Sequence, residues 1–281
     1  MKTVAIVGVG LIGASFGLAL RRAGFAGRIL GVSSDRSIRA AIDRHAIDEG
    51  VSLESAAAQA DLVYLSQPIS GILETLPRLA GLLKPGALVT DAGSTKRHIV
   101  EAAAPLGSAF IGGHPMAGKT ARGAAGAEPL LFEGRPYVLT PLEPAGMDDE
   151  RVRSLVSWIE KIGARMVVLT PAEHDRLVAA SSHLPQLLST ALASTLEQMP
   201  DPAPIAAVAG PGLLGMTRLA LSSHEIWKDI LATNGDEIAA ALLLIEARLS
   251  ELRRSLETPE TDSAFASGRT FALRLRPGHD E

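Results

Sequence analysis

The glycine pattern Gly8-x-Gly10-x-x-Gly13 constrains the fold of this chain more than any other feature. It directly follows the apolar run Thr3–Val7, which predicts a buried strand, and it opens a helical pattern. In such a unit, the glycines permit a tight turn, close approach of a pyrophosphate and close packing of helix on strand. Amides at the helix start then hold phosphates. We predict a dinucleotide-binding βαβ unit with these residues against the cofactor: Gly8, Gly10, Leu11, Ile12 and Gly13.

The alternation of strands and helices continues to about residue 169. Apolar runs predict strands at 28–32, 61–65, 87–90, 109–112, 137–139 and 165–169, with helical patterns such as 69–83 and 152–162 between them. Short apolar runs alternating with helices are typical of a parallel sheet covered on both faces. We therefore expect residues 1–169 to form a Rossmann-type α/β domain.

The pattern changes at Thr170, where a capping hydroxyl, Pro171 and Glu173 predict a helix start. No convincing strand follows, so we expect residues 170–281 to form an all-α domain, with a loose tail after about Thr258 and a short helix near 263–273. A heptad-like apolar seam in this half predicts either packing against the same helix of a second subunit or an intrachain core helix. The seam comprises Ile238, Leu242, Ile245, Leu249, Leu252 and Leu256.

Composition excludes several classes of function. The 281 residues carry a formal charge of −4 without a basic run, which gives no electrostatic footprint for nucleic acid or an anionic membrane. The chain has no cysteine, which excludes disulfides and thiolate chemistry and fits a reducing cytoplasm; no metal site is predicted. Beyond the first twenty residues, the longest uninterrupted apolar run, 238–245, is too short to span a bilayer.

The residues at the end of the second predicted strand indicate which nicotinamide dinucleotide the chain binds, NAD or NADP. An acidic residue there bonds the ribose of NAD, but this chain has Ser33, followed by Ser34 and Arg36, which suit a 2′-phosphate. Asp35 argues the other way, and a solvated loop would explain all four residues. We favour NADP, with NAD as the alternative, and add two residues after the next strand as cofactor contacts: Gln67 and Pro68.

Three polar segments are candidates for chemistry. His114 stands among glycines after an apolar run, where we expect a turn that presents the imidazole to a ligand. Ser94 follows the fourth predicted strand; it is either an N-cap or a neighbour of His114, because strand-end loops line the ligand crevice. In the helical half, Pro185 predicts a kink, and at helical spacing a polar face is formed by Asp175, Ser182 and Gln186, with His183 on its flank.

Taken together, these segments resemble the prephenate/arogenate dehydrogenase family of tyrosine biosynthesis. The resemblance rests on the glycine turn, Asp91-Ala-Gly-Ser-Thr-Lys96, Gly112-Gly-His-Pro-Met-Ala-Gly118, His174-Asp175 and Ser182-His-Leu-Pro185, in the family's order. It implies an NAD(P)-binding domain joined to a helical domain that forms a homodimer.

The resemblance also implies a reaction and its residues. A cyclohexadienol would lose a hydride from C4 to the nicotinamide and its C1 carboxylate as CO2, with His114 as the base for the C4 hydroxyl. Ser94 would orient the histidine or the hydroxyl, and Arg218 would bind a substrate carboxylate. Remaining substrate contacts would come from Ser182, His183, Gln186 and Thr120.

This chain departs from the family around the substrate side chain. Gln186 stands where many members have a second histidine, Thr120 where some prephenate-using members have glutamate, and Gly215 where the family has aspartate. With the serine-rich second-strand end, this favours arogenate over prephenate and NADP over NAD. Two alternatives remain open: another two-domain β-hydroxyacid or imine dehydrogenase, which commonly uses a lysine, and a noncatalytic NADP sensor.

Overall fold

Eight strands form one sheet in the part of the chain that the computed structural model describes, residues 1–119 and 121–276. Their order across the sheet is β3-β2-β1-β4-β5-β6-β7-β8. This order reverses direction between β1 and β4, which is where doubly wound sheets bind ligands at the carboxyl ends of their strands. The strands are β1 (Thr3–Val7), β2 (Arg28–Val32), β3 (Glu49–Gly50), β4 (Leu62–Leu65), β5 (Leu88–Asp91), β6 (Phe110–Pro115), β7 (Pro136–Thr140) and β8 (Arg165–Val168).

The sheet confirms the predicted fold class, with two differences from the sequence-based prediction. The two-residue strand β3 was not predicted. In addition, β6 and β7 pair antiparallel, with His114 opposite Val138, while the other six neighbouring pairs are parallel. The connection between these two strands carries no α-helix in its described residues, only a 3-10 turn at Ala124–Gly126, so the chain makes no helical crossover there.

Six α-helices accompany the sheet in the described residues before β8. They are α1 (Leu11–Arg22), α2 (Asp35–Asp43), α3 (Leu53–Gln59), α4 (Ile69–Leu79), α5 (Arg97–Ala102) and α6 (Glu150–Lys161), with further 3-10 turns at Ala104–Ala109 and Pro144–Asp148. Apolar side chains of the helices and strands form the core. For example, Phe16 of α1 stacks on Tyr64 of β4 with ring centroids 4.1 Å apart.

The described residues beyond β8 contain helices and no strand, as predicted. Helix α7 begins with the expected capping box, in which Thr170 and Glu173 bond each other's backbone amides. The helices are α7 (Pro171–Val178), α8 (Leu184–Glu197), α9 (Ala203–Ala207), α10 (Pro211–Thr217), α11 (His224–Arg254) and α12 (Glu260–Arg274), with a π-turn at Ala179–His183 and a 3-10 turn at Arg218–Leu221. Helix α12 is longer than the short helix expected in a loose tail. None of the helices in these described ranges combines the length and apolar character that a membrane crossing requires.

Backbone contacts divide the chain into two compact units. The first, Met1–Gly235, holds the whole sheet, α1 to α10 and the first third of α11. The second begins at Asp236 and holds the rest of α11 together with α12. The change from sheet to helices thus falls near residue 170, whereas the division by compactness falls after Gly235.

Candidate active site

The glycine turn after β1 has the geometry of a phosphate cradle. Gly8 has a φ of +92°, and a Cβ there would lie 2.6 Å from the backbone nitrogen of Gln67. A Cβ on Gly13 would lie 2.5 Å from the carbonyl oxygen of Gly8, so only glycine lets α1 pack this closely. A Cβ on Gly10, in contrast, would meet no atom within 4 Å, so the backbone here is open to a ligand. These three glycines therefore fit a dinucleotide pyrophosphate at the start of α1.

A cavity of about 420 Å³ lies beside this turn, at the carboxyl ends of β1, β2 and β4. Several predicted cofactor residues line it, whereas Ser34 and Arg36 do not. Ser34 caps α2 by accepting a hydrogen bond from the amide of Ser37, and Arg36 is exposed in the first turn of that helix. Leu11 and Ile12 are half-buried in the first turn of α1. The lining residues are Val7, Gly8, Gly10, Val32, Ser33, Ser37, Ser66, Gln67 and Pro68.

His114 lies on strand β6, and the expectation of a glycine-rich turn around it was wrong. The two glycines before it serve close packing between strands. A Cβ on Gly112 would lie 2.2 Å from Oγ1 of Thr140, and one on Gly113 would lie 2.5 Å from the carbonyl oxygen of Asp91. The imidazole therefore stands on a rigid strand end, at the same edge of the sheet as the glycine turn.

A buried chain of hydrogen bonds connects His114 to helix α7. Nδ1 of His114 lies 2.8 Å from Nε2 of His174, and Nδ1 of His174 lies 2.8 Å from Oδ1 of Asp175. His174 and Asp175 are fully buried, and His114 is 9% exposed. Nε2 of His114 makes no hydrogen bond within the described residues, so it is free to accept a proton from a substrate.

Asp175 also caps helix α5, the helix that follows β5. Its carboxylate accepts hydrogen bonds from the backbone amides of Lys96 at 2.7 Å and Arg97 at 2.9 Å. The alternative that Ser94 is the N-cap was wrong, because α5 begins at Arg97, and Asp175 satisfies its first amides from another element. Ser94 is half-buried in the loop before this helix, and its side chain makes no hydrogen bond to another described residue.

A fully buried ion pair fixes the backbone next to His114. Nζ of Lys96 bonds the carboxylate of Asp91 and donates to the carbonyl oxygen of Gly113 at 2.8 Å. Asp91 in turn accepts from the amides of Gly93 at 2.8 Å and Gly113 at 3.0 Å. The pair therefore ties the end of β5 to the peptide group that precedes His114.

The π-turn changes which residues of the α7–α8 segment face inward. The turn at Ala179–His183 adds one residue, and His183 becomes 1% exposed while Ser182 is only half-buried. The predicted face of Asp175, Ser182 and Gln186, with His183 on its flank, was therefore wrong in its register. His183 is instead drawn toward Asn234, whose side-chain nitrogen lies 3.3 Å from its Nδ1 and donates to the carbonyl oxygen of Asp175 at 2.8 Å.

Gln186 holds the turn that carries Arg218. Its side-chain amide donates to the carbonyl oxygen of Leu219 at 2.9 Å and to Thr190 at 3.2 Å. Arg218 begins that 3-10 turn and is exposed, without a hydrogen bond or ion pair to another described residue. Thr120, predicted to contact substrate, lies outside the described residues.

Burial sets the protonation of the histidine cluster. It lowers the pKa of His114 well below its usual range, and the neighbouring His174, Lys96 and His183 lower it further. Burial also lowers the pKa of His174, against the opposing effect of Asp175, and the pKa of His183 to about 4. Burial opposes ionisation of Asp175, but the bonds from His174 and the α5 amides hold its pKa below the usual value. At neutral pH the three imidazoles are uncharged and Asp175 is ionised.

A dinucleotide cradle and a neutral imidazole at one edge of a doubly wound sheet define a dehydrogenase that uses a nicotinamide dinucleotide. Two family models match most of the chain and agree with this class. The model for the prephenate dehydrogenase nucleotide-binding domain matches residues 16–175, and the model for the prephenate dehydrogenase dimerization domain matches residues 170–268. The chain belongs to the prephenate dehydrogenase family.

Individual relatives agree with this assignment. The chain is 34% identical to the prephenate dehydrogenase of Lactococcus lactis, over 94% of its own length and 73% of the relative's. Its structure matches prephenate dehydrogenase from A. aeolicus in complex with hydroxyphenyl propionate and NAD+ (TM-score 0.89, 32% identity, 98% of both chains). It also matches Synechocystis arogenate dehydrogenase (TM-score 0.84, 34% identity, 97% of this chain and 99% of that one).

Sequence reasoning missed the roles of four polar residues in the hydrogen-bonded cluster that includes His114. His174 and Asp175 were noted as part of a family motif, and Asp175 was placed on a polar face with Ser182 and Gln186, but their connection to His114 was not predicted. Lys96 and Asn234 were assigned no role. The available signal was the presence of adjacent His and Asp at the start of a helix whose pattern is otherwise apolar, because buried polar groups need partners.

Proposed function

We propose that this chain oxidatively decarboxylates a cyclohexadienol, arogenate or prephenate, with a nicotinamide dinucleotide as the oxidant. The observation that carries the proposal is the free Nε2 of neutral His114 at the cofactor edge of the sheet. The reaction needs a base beside the carbon that loses hydride, and a neutral imidazole suits that role.

Residues of the turn after β1 would hold the cofactor, with the pyrophosphate over Gly10 and the adenosine ribose beside Ser33. Gln67 and Pro68 line the same cavity. The bound nicotinamide supplies the hydride acceptor. We propose NADP as the preferred form, because Ser33 directly follows β2 and the exposed Arg36, in the first turn of α2, supplies a guanidinium for a 2′-phosphate.

His114 would act on the C4 hydroxyl of the substrate. As hydride leaves C4, positive charge develops on that carbon and on its hydroxyl, and Nε2 of His114 stabilises it by accepting the hydroxyl proton in a hydrogen bond. The electron pair of the broken bond between C1 and its carboxylate makes the ring aromatic, and CO2 leaves. The product keeps its oxygen as a phenol, with Ser94 proposed to orient the hydroxyl or the imidazole.

The helical region would bind the rest of the substrate. Arg218 is proposed to hold a carboxylate, since it is exposed and its turn is anchored by Gln186. Ser182, His183 and Thr120 are the other proposed contacts. Gln186 and Gly215 stand where family members carry charged or titratable side chains, and on this basis we propose arogenate as the preferred substrate.

The main enzymatic alternative, a β-hydroxyacid or imine dehydrogenase that uses a lysine, is less consistent with the site. The lysine beside His114 is Lys96, which is fully buried and paired with Asp91. Its ammonium group is occupied in holding the backbone of β6. A noncatalytic NADP sensor, in turn, would have no use for an imidazole with a free nitrogen at this edge.

The substrate test is a matrix of arogenate and prephenate, each with NADP and NAD, following reduced nicotinamide by absorbance. Activity with either substrate supports the proposal, and no activity with both would overturn it. For the cofactor, Arg36→Ala should lower kcat/KM with NADP by about tenfold and leave kcat/KM with NAD within about twofold. Arg39→Ala, exposed on the same helix, is the control. A wild-type preference for NAD would contradict the cofactor proposal.

We also propose that the chain acts as a homodimer in the cytoplasm. The match to a family model described as a dimerization domain supports the dimer. On α11, Leu243 and Leu244 are 66% and 76% exposed, and Leu249 of the apolar seam is 54% exposed. A helix that exposes this much apolar surface is suited to an interface with a second copy.

A further inference from the structure

We propose that His174 is a positioning residue that holds His114 in one tautomer, with its proton on Nδ1 and the lone pair of Nε2 directed to the substrate. This inference rests on the proposed function and deepens it. It assigns to His174 and Asp175 a role in the reaction although neither touches substrate in the proposal.

The direction of the hydrogen bonds follows from Asp175. Its carboxylate already accepts hydrogen bonds from the backbone amides of Lys96 and Arg97, and a backbone N–H can only donate. An ionised carboxylate can only accept, so Nδ1 of His174 must donate to it across 2.8 Å. The neutral imidazole of His174 then has an acceptor at Nε2.

That acceptor determines the tautomer of His114. Nδ1 of His114 lies 2.8 Å from Nε2 of His174 and must be the donor of this bond. In the other tautomer two lone pairs would face each other at this distance inside the protein, where an unmade bond is costly. In that tautomer Nε2 of His114 would carry a proton and could not accept one from the C4 hydroxyl.

Neighbouring residues hold in place the hydrogen-bonded relay formed by Asp175, His174 and His114. His174 is 0% exposed, and the carbonyl oxygen of Asp175 accepts from the side chain of Asn234 at 2.8 Å. The α5 cap anchors the carboxylate to the nucleotide-binding half, on the helix that follows the loop carrying Ser94. The proton position on His114 is thus fixed by residues of both the sheet and the helical region.

Two substitutions separate the positioning role from packing. His174→Leu removes the acceptor but keeps an apolar side chain of similar size in a buried site. His174→Gln keeps a carbonyl oxygen that can accept from Nδ1 of His114. We expect His174→Leu to lower kcat at least about tenfold with KM changed less than about threefold, and His174→Gln to recover most of the loss. His98→Leu, at an exposed histidine of α5, is the control.

The tautomer is measured directly by ¹⁵N NMR of the histidine-labelled full chain, without substrate. We expect the proton on Nδ1 of His114 in the wild type and in His174→Gln, and a shift toward Nε2 in His174→Leu. A wild-type spectrum with the proton on Nε2 would overturn the proposal, as would an unchanged kcat in His174→Leu. If His174→Leu does not fold, the wild-type spectrum alone decides. Because this readout needs no turnover, failure of the relay is distinguishable from failure of the proposed reaction.

Discussion

Asp229 of helix α11 accepts hydrogen bonds from both the backbone amide and the hydroxyl of Ser70, at 2.9 and 2.8 Å. Ser70 lies in the first turn of α4, two residues after Pro68, which lines the cavity together with Gln67. Together with the cap that Asp175 provides for α5, two carboxylates from the helical region satisfy amides at two helix starts of the sheet half. Both caps lie at the edge where cofactor and substrate are expected to meet.

Removing the Asp229 cap should weaken both the fold and cofactor binding. For Asp229→Ala we expect a loss of about 1 kcal/mol in the free energy of unfolding. We also expect KM for the dinucleotide to rise about threefold, because the start of α4 loses a cap beside the cavity. Urea denaturation and steady-state kinetics measure the two effects. Glu74→Ala, an exposed carboxylate further along α4, is the control, and equal behaviour of the two variants would refute a specific cap.

The buried histidines predict a loss of stability in mild acid. The pKa values of His114, His174 and His183 are lowered in the folded chain, that of His183 to about 4. Below the usual value of 6.5 the unfolded chain binds protons that the folded chain does not, so stability falls as pH decreases from about 6.5 toward 4. Each such histidine contributes a slope of up to about 1.4 kcal/mol per pH unit.

Urea denaturation between pH 7.5 and 5 tests this slope. His183→Asn should reduce it by about one proton's contribution, even if the variant is less stable at every pH. The groups that face His183 are Asp175 and His174, and the slope therefore reports the cluster rather than one isolated ring. His98→Asn, at an exposed position, should leave it unchanged. A slope that is flat over this range in the wild type would show that the imidazoles are not neutral.

Arg218 should act on substrate binding more than on the chemical step. Since a carboxylate clamp is largely formed before the transition state, Arg218→Ala should raise KM for the substrate about tenfold or more with a smaller change in kcat. Arg153→Ala, exposed on α6, is a matched control. A variant with unchanged KM would remove Arg218 from the proposed site.

The apolar seam, which lies on α11 except for Leu256, should form part of the subunit interface. Leu249→Glu places a charge on its exposed part and should convert the proposed dimer to a monomer at micromolar concentration, as measured by sedimentation velocity. Leu130→Glu, at a leucine of the sheet half that is 45% exposed, is the control for surface charge. If Leu249→Glu sediments like the wild type, the seam contributes to an intrachain core instead.

Much of the fold could be predicted because its signals are local. The strand β1, the glycine turn and the capping box at Thr170 depend on residues adjacent in sequence. The antiparallel direction of β7 could not be predicted, because an apolar run does not encode the direction in which its strand pairs. The structural role of the glycines before His114 was also predicted wrongly, because a glycine required by a neighbouring strand looks the same in sequence as one required by a turn.

The register error on α7 and α8 has a specific physical origin. Regular spacing of 3.6 residues assumes an uninterrupted helix, but Pro185 lacks an amide proton and its ring crowds the preceding turn. The π-turn at Ala179–His183 relieves this by adding one residue, which moves His183 inward. Pro185 predicted a disturbance, but a kink and a widened turn have the same sequence signal.

The role of His114 as the base is tested most sharply by measuring kcat of His114→Ala with the preferred substrate and cofactor, compared with wild type and the exposed-site control His98→Ala. If the imidazole on β6 is the base, kcat falls about a hundredfold or more while the variant still binds dinucleotide, because the cradle after β1 is untouched. A kcat equal to that of the wild type would show that His114 is not the base.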